Sequence, residues 1–140
     1  MIVFQHEVAN VNFGDALNGA VFEPLFNDVS GCGEGVVCFA IGSLLNDYAQ
    51  SRTTSARKIV VCGAGVGHGS MPLARLPRLD ARWTVYALRG PLSAAALGVD
   101  SRLGIVDPGV LLARLPWVQD AMQNQPLKQR DPAVVPHFRT

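Results

Sequence analysis

The sequence predicts an α/β domain on a mainly parallel sheet, and three observations carry that expectation. Apolar runs at residues 35–41, 58–62 and 84–88 have the continuous hydrophobic character of strands covered on both faces. Each run stops at Gly42-Ser43, at Gly63 or at Arg89-Gly90, where a chain leaves a sheet. Along the chain as a whole, apolar strands alternate with short helices, with Gly, Asp or Arg at each junction.

Taken in order, residues 2–4 read as a short first strand and Asn10-Val11-Asn12-Phe13-Gly14-Asp15 as the loop after it. Asp15 is placed to cap a helix over residues 16–22. Leu17, Ala20, Val21 and Leu25 form its apolar face, and Pro24 bends or ends it. The run 35–41 is the second strand, 44–49 make a turn or two of helix, and 50–57 form a polar loop. Strand three, 58–62, opens into Gly63-Ala64-Gly65-Val66-Gly67-His68-Gly69. Pro72 and Pro77 argue against a long helix next, leaving 70–82 irregular. Strand four is 84–88. Pro91 then takes the favoured first position of a helix over 91–97, which Gly98 stops. Residues 99–106 read as one more short strand, ended by Asp107-Pro108-Gly109. Residues 117–131 turn polar and Gln-rich, as in a surface helix or linker, and Val134-Val135-Pro136-His137-Phe138 reads as another strand starting.

Composition narrows the function classes. A length of 140 residues corresponds to about one domain. With 49% hydrophobic and only 16% charged residues the chain is neither disordered nor a coiled coil. The apolar excess predicts an extensive interface with another domain or with a second subunit, as in a homo-oligomer. A net charge of +1, with 12 Lys and Arg spread along the chain, gives no basic stripe for nucleic acid or an anionic membrane. No apolar run approaches the ~20 residues of a membrane span, and the first residues lack the pattern of a signal peptide, so the expectation is a cytoplasmic chain that is not transmembrane. Cys32, Cys38 and Cys62 suggest neither a disulfide framework nor a zinc site; Cys38 and Cys62 read as small core residues. The three His lie on different elements and imply no metal.

Ligands of an open parallel sheet gather at the carboxyl ends of its strands. That rim would hold Asn12, Gly14 and Asp15 after strand one, Gly42 and Ser43 after strand two, Gly63, Gly65 and His68 after strand three, Arg89 and Gly90 after strand four, and Asp107 beyond. Arg89 is the most informative: Gly90 permits close backbone approach and Pro91 starts a helix beside the guanidinium, a setting for phosphate or carboxylate. A structural ion pair at the sheet edge is the competing reading. Asn12 and Asp15 could orient sugar hydroxyls or take a proton, and Asp15 could equally be a helix cap alone. The glycine loop misses the dinucleotide pattern Gly-x-Gly-x-x-Gly because His68 stands at the third glycine. Arg89 nevertheless keeps an NADP-binding module as an alternative. His68 is a candidate general acid.

Six motifs in order resemble the polysaccharide pyruvyl transferase family, in particular the exopolysaccharide members such as succinoglycan ketal pyruvyltransferases. They are Asn12-Phe13-Gly14-Asp15-Ala16-Leu17-Asn18, Ala40-Ile41-Gly42-Ser43-Leu44-Leu45 and Val61-Cys62-Gly63-Ala64-Gly65-Val66. Arg89-Gly90-Pro91-Leu92-Ser93, Asp107-Pro108-Gly109-Val110-Leu111-Leu112 and Val135-Pro136-His137-Phe138 follow. The resemblance implies a Rossmann-like domain, one half of a GT-B-like two-domain transferase. It also implies transfer of the enolpyruvyl group of phosphoenolpyruvate onto two hydroxyls of a sugar or lipid-linked oligosaccharide, giving a pyruvate ketal, with no cofactor beyond that donor. On this resemblance Asp15 and His68 are catalytic candidates. Asn12, Gly14, Gly42, Ser43, Gly63, Gly65, Arg89, Gly90, Asp107 and His137 are substrate-binding candidates. Family members are about twice this length. The expectation is therefore a domain over 1–133, with 134–140 opening a second half that is missing, and little activity from this chain alone. A degenerate, non-catalytic interaction domain is the further alternative.

Overall fold

A computed structural model of the chain describes residues 2–3, 13–26, 34–67 and 76–124. Its strands are β1 (Ile2–Val3), β2 (Val36–Phe39), β3 (Lys58–Cys62) and β4 (Trp83–Ala87), arranged in the order β1-β2-β3-β4 with every neighbouring pair parallel. The helices are α1 (Phe13–Phe26), α2 (Asp47–Arg52), α3 (Pro91–Leu97) and α4 (Pro116–Asn124). Two 3-10 segments, Ser101–Leu103 and Pro108–Arg114, lie between α3 and α4. The α/β class and the parallel sheet are as the sequence predicts.

Alternation along the strands divides the core between the two faces of the sheet. Phe39, Ile59 and Val61 point to the face covered by Ala49 of α2 and Ala94 of α3, with Trp83 and Val85 packed beside them. The Trp83 ring stacks on Phe39 at a centroid separation of 5.9 Å. Cys38, Val60 and Cys62 point to the other face, under Val21 and Phe22 of α1 and Leu115. β2 and β3 are thus apolar on both sides, which is why their sequences do not alternate.

The register of β3 against β4 slips at the carboxyl end. Val61 faces Val85, but Cys62 faces Ala87, so β4 holds one extra residue. That residue, Tyr86, is turned out to solvent, 59% exposed. The bulge returns Leu88 to the core and brings Arg89 to the rim.

Several sequence expectations are corrected. α1 begins at Phe13, so Asp15 is its third residue rather than its cap, and the helix continues through Pro24 to Phe26. The missing N–H of Pro24 removes one bond near the helix end, where fully buried Val21 and Phe22 already hold α1 on the sheet. Its inner face includes Leu17, Asn18, Val21 and Phe22, while Ala20 is exposed. The second helix starts at Asp47, later than expected, because the side chain of Asn46 accepts the amide of Ala49 at 2.8 Å and caps it. It runs into the stretch read as a loop, ending at Arg52. Residues 99–106 do not form a strand: Asp100 accepts the amide of Arg102 at 2.9 Å and folds Ser101–Leu103 into a 3-10 turn, leaving a lone parallel bridge between Leu88 and Gly104. By contrast, α3 begins at Pro91 and runs to Leu97, where Gly98, left-handed at φ 66°, caps it as expected. The expected strand at 134–138, and Asn12, His68 and His137, lie outside the described residues.

Candidate functional site

Parallel pairing brings the carboxyl ends of β2, β3 and β4 to one rim, and the segments leaving them are laced together. The amide of Gly65 donates to the carbonyl of Gly42 at 2.9 Å, and the amide of Leu45 donates back to the carbonyl of Gly65 at 3.1 Å. On the other side, the amide of Arg89 donates to the carbonyl of Ala64 at 3.2 Å, and that of Gly63 to the carbonyl of Ala87 at 2.8 Å. Buried Ser93 completes the lacing: its hydroxyl accepts the amide of Val66 at 3.2 Å and donates to the carbonyl of Arg89 at 3.5 Å.

Arg89 lies across this rim from β4 towards β2. Its Nη2 donates to the Ser43 hydroxyl, and its Nη1 stands 3.8 Å from a carboxylate oxygen of Asp107. The second distance is Coulombic contact and too long for a hydrogen bond. The side chain keeps 32% of its surface exposed. A guanidinium carries five N–H donors, so most of those on Arg89 are not spent within the described residues. Asp107 also accepts the amide of Gly109 at 2.8 Å, capping the second 3-10 segment, and thus serves as both cap and counter-charge.

The rim glycines make this packing possible. A Cβ on Gly65 would stand 2.7 Å from Nε of Arg89, and one on Gly63 would stand 2.6 Å from the Pro108 ring. Gly63 (φ 116°), Gly42 (φ 122°) and Gly90 (φ 91°) hold backbone conformations that side chains disfavour. The amides of Gly63, Gly65 and Val66 are all engaged inside the chain. A dinucleotide-type phosphate cradle would need such amides free.

α1 is fixed to the same end of the sheet by Asn18. Its Nδ2 donates to the carbonyl of Ile41 at 3.0 Å and its Oδ1 accepts the Ile41 amide at 2.8 Å. Gly14 and Asp15 precede it in α1 by four and three residues. Asn18 and Ser93 were not among the residues expected to matter. The available signals were a polar residue on the inner face of α1 and a serine within the otherwise apolar helix after Arg89.

Cys38 and Cys62 share a face of the sheet, Cys38 buried and Cys62 half-buried. A hydrogen bond with the Cys38 thiol holds the Cys62 thiol below its ordinary pKa, outweighing burial, which acts the other way. Among the described residues no cluster of His, Cys, Asp or Glu could hold a metal, and no helix is long and apolar enough to cross a membrane.

The fold and rim define an α/β domain with an arginine held at the carboxyl edge of a parallel sheet, its guanidinium partly open to solvent. The chain is similar to the succinoglycan biosynthesis protein ExoV of Rhizobium meliloti (strain 1021), with 35% identity over 108 residues, covering 77% of this chain and 32% of that protein. It thus spans about a third of the length of the curated relative it matches. No protein-family model and no solved structure matches the chain.

Proposed function

We propose that this chain is the amino-terminal part of an exopolysaccharide pyruvyltransferase, which moves the enolpyruvyl group of phosphoenolpyruvate onto two hydroxyls of a sugar. The observation that carries this reading is Arg89, whose side chain is 32% exposed and whose guanidinium suits a carboxylate or phosphate, at a rim resembling the family's motifs. Similarity to a succinoglycan biosynthesis protein supports the glycan side of the proposal.

The chemistry assigns a task to each group. A proton must reach the methylene carbon of the donor, so that positive charge develops at the adjacent carbon. One sugar hydroxyl adds to that carbon, the bond to phosphate breaks, and a second hydroxyl closes the ketal. The two hydroxyl protons balance the one placed on the methylene carbon and the one leaving with phosphate. In this proposal Arg89 and Ser43 hold the donor anion, with Gly42 and Gly90 allowing close approach. Asn12, Gly14 and Asp15 face the acceptor, and His68 supplies the proton. Gly63, Gly65 and Asp107 hold the rim together. Residues 134–140, with His137, open the second half, which forms the opposite wall of the cleft.

The test is ketal formation from phosphoenolpyruvate in the complete or complemented enzyme, followed by mass spectrometry of the glycan. Arg89→Ala is expected to lower turnover by a factor of about a hundred or more, the cost of losing charged hydrogen bonds to a developing anion. Turnover equal to the unmodified enzyme would remove Arg89 from the mechanism.

Exposed apolar side chains, including Tyr86, Leu92 and Ile105, favour a second reading in which the same domain also docks a partner. Sedimentation showing a monomer at all concentrations, with no complex with the complementing half, would count against it.

A further inference from the structure

A guanidinium on a flexible stem is useful at a site only if something fixes its plane. The Arg89 backbone is held on both sides, its amide on the Ala64 carbonyl and its carbonyl under the Ser93 hydroxyl. Its head lies over the Cα of Gly65, where a Cβ would come within 2.7 Å of Nε, 3.1 Å of Nη2 and 3.2 Å of the Arg89 Cβ. Both backbone groups of Gly65 are spent on the segment after β2, through Gly42 and Leu45. Gly65 therefore has neither an amide to offer a ligand nor freedom to move aside. No left-handed φ demands glycine there, in contrast to Gly63 and Gly90. What glycine supplies at 65 is space for the arginine.

We infer that Gly65 and Ser93 are positioning residues for Arg89: the missing side chain at 65 seats the guanidinium, and the hydroxyl at 93 ties its carbonyl to the β3 segment. This rests on the proposed function only for the identity of the anion. The placement of Arg89 stands apart from it. The atoms nearest a new Cβ at 65 are Nε and Nη2 of the flexible Arg89 side chain. The backbone-anchored Arg89 Cβ, at 3.2 Å, need give by only a few tenths of an ångström, so Gly65→Ala is expected to displace the guanidinium while the fold is retained. At Gly63 the opposing group is the rigid Pro108 ring, so the corresponding change strikes the scaffold.

The experiment uses the full chain labelled with nitrogen-15. The arginine Nε–H signal that disappears in Arg89→Ala identifies Arg89. Gly65→Ala is expected to retain the dispersed amide spectrum while shifting that signal, and Ser93→Ala to shift it as well. Titrated with phosphoenolpyruvate, both variants should show dissociation constants at least about tenfold above the unmodified chain, the scale of a misaligned charged hydrogen bond. An Nε–H signal unmoved in both variants overturns the inference. So does loss of the folded spectrum in Gly65→Ala, because the arginine would not then be the group that yields. If Gly65→Ala moves the Arg89 signal while the complemented enzyme forms no ketal from phosphoenolpyruvate, the functional proposal fails and the positioning role stands.

Discussion

Asn18 offers the sharpest test of how the rim is held. It is fully buried, and its amide group makes a matched pair of bonds to the backbone of Ile41, itself 4% exposed, across 23 residues of sequence. Truncation to alanine leaves an amide N–H and a carbonyl of Ile41 without these partners in a space from which water is excluded. Each buried group so orphaned costs about 1–3 kcal/mol, so with two of them Asn18→Ala should lose about 2–6 kcal/mol. That is a large part of the ~5–15 kcal/mol by which a domain is stable. For a chain of this size it corresponds to a fall in Tm of about 3 °C per kcal/mol. Urea unfolding followed by circular dichroism measures it directly, with the midpoint falling and the slope unchanged. Asn18→Asp adds a signed control. A carboxylate there retains the acceptor for the Ile41 amide but faces its carbonyl, and burial also disfavours the charge, so the folded pKa lies above the unfolded value. The folded state then binds more protons between those two values, and stability falls as pH rises through that window. A loss below about 1 kcal/mol for Asn18→Ala, or an Asn18→Asp variant whose stability does not decline with rising pH, would refute this account.

Other perturbations separate further features. Gly63→Ala combines a left-handed backbone at φ 116° with a Cβ 2.6 Å from the Pro108 ring, and should destabilise by about 2–5 kcal/mol in the same urea assay. Removing Cys38 as Cys38→Ala should raise the Cys62 pKa, because the hydrogen bond that lowers it is gone; the pH midpoint of Cys62 alkylation, followed by mass spectrometry, should move upward. The Arg82 and Arg102 guanidiniums hold Asp80 and Asp100 below the usual carboxylate range. With folded values depressed, that stabilisation is present above the unfolded pKa and lost as pH falls through the folded one. Arg82→Gln and Arg102→Gln should therefore flatten the acid limb of stability against pH, an effect that added salt should shrink because both pairs are exposed. An acid limb identical to that of the unmodified chain would exclude the pairs as its source.

Local signals in the sequence were enough for much of the fold. The strands around Val37, Val60 and Val85 declare themselves by continuous apolar character, and α3 is punctuated by Pro91 and Gly98. Where a local signal had a stronger competitor, the reading moved. Pro24 does not end α1 because burial of Val21 and Phe22 holds the helix, and Asp100 turns a strand-like segment into a 3-10 turn. Arg89, Ser43 and Gly65 could be named from the chain as rim residues, but their mutual arrangement could not.

The amino-acid order by itself determined the class of fold, the places where strands stop, and the residue types gathered at those stops, since each follows from side-chain character over a few neighbouring positions. Only the tertiary structure decided which of those residues meet. Ser43 and Arg89 bond across 46 residues, Asn18 clasps Ile41 across 23, and Gly65 is required by a side chain from the next strand. Such contacts arise from strand register, the bulge at Tyr86 and the face each helix covers, and these are set by packing the whole sheet at once rather than by any one segment.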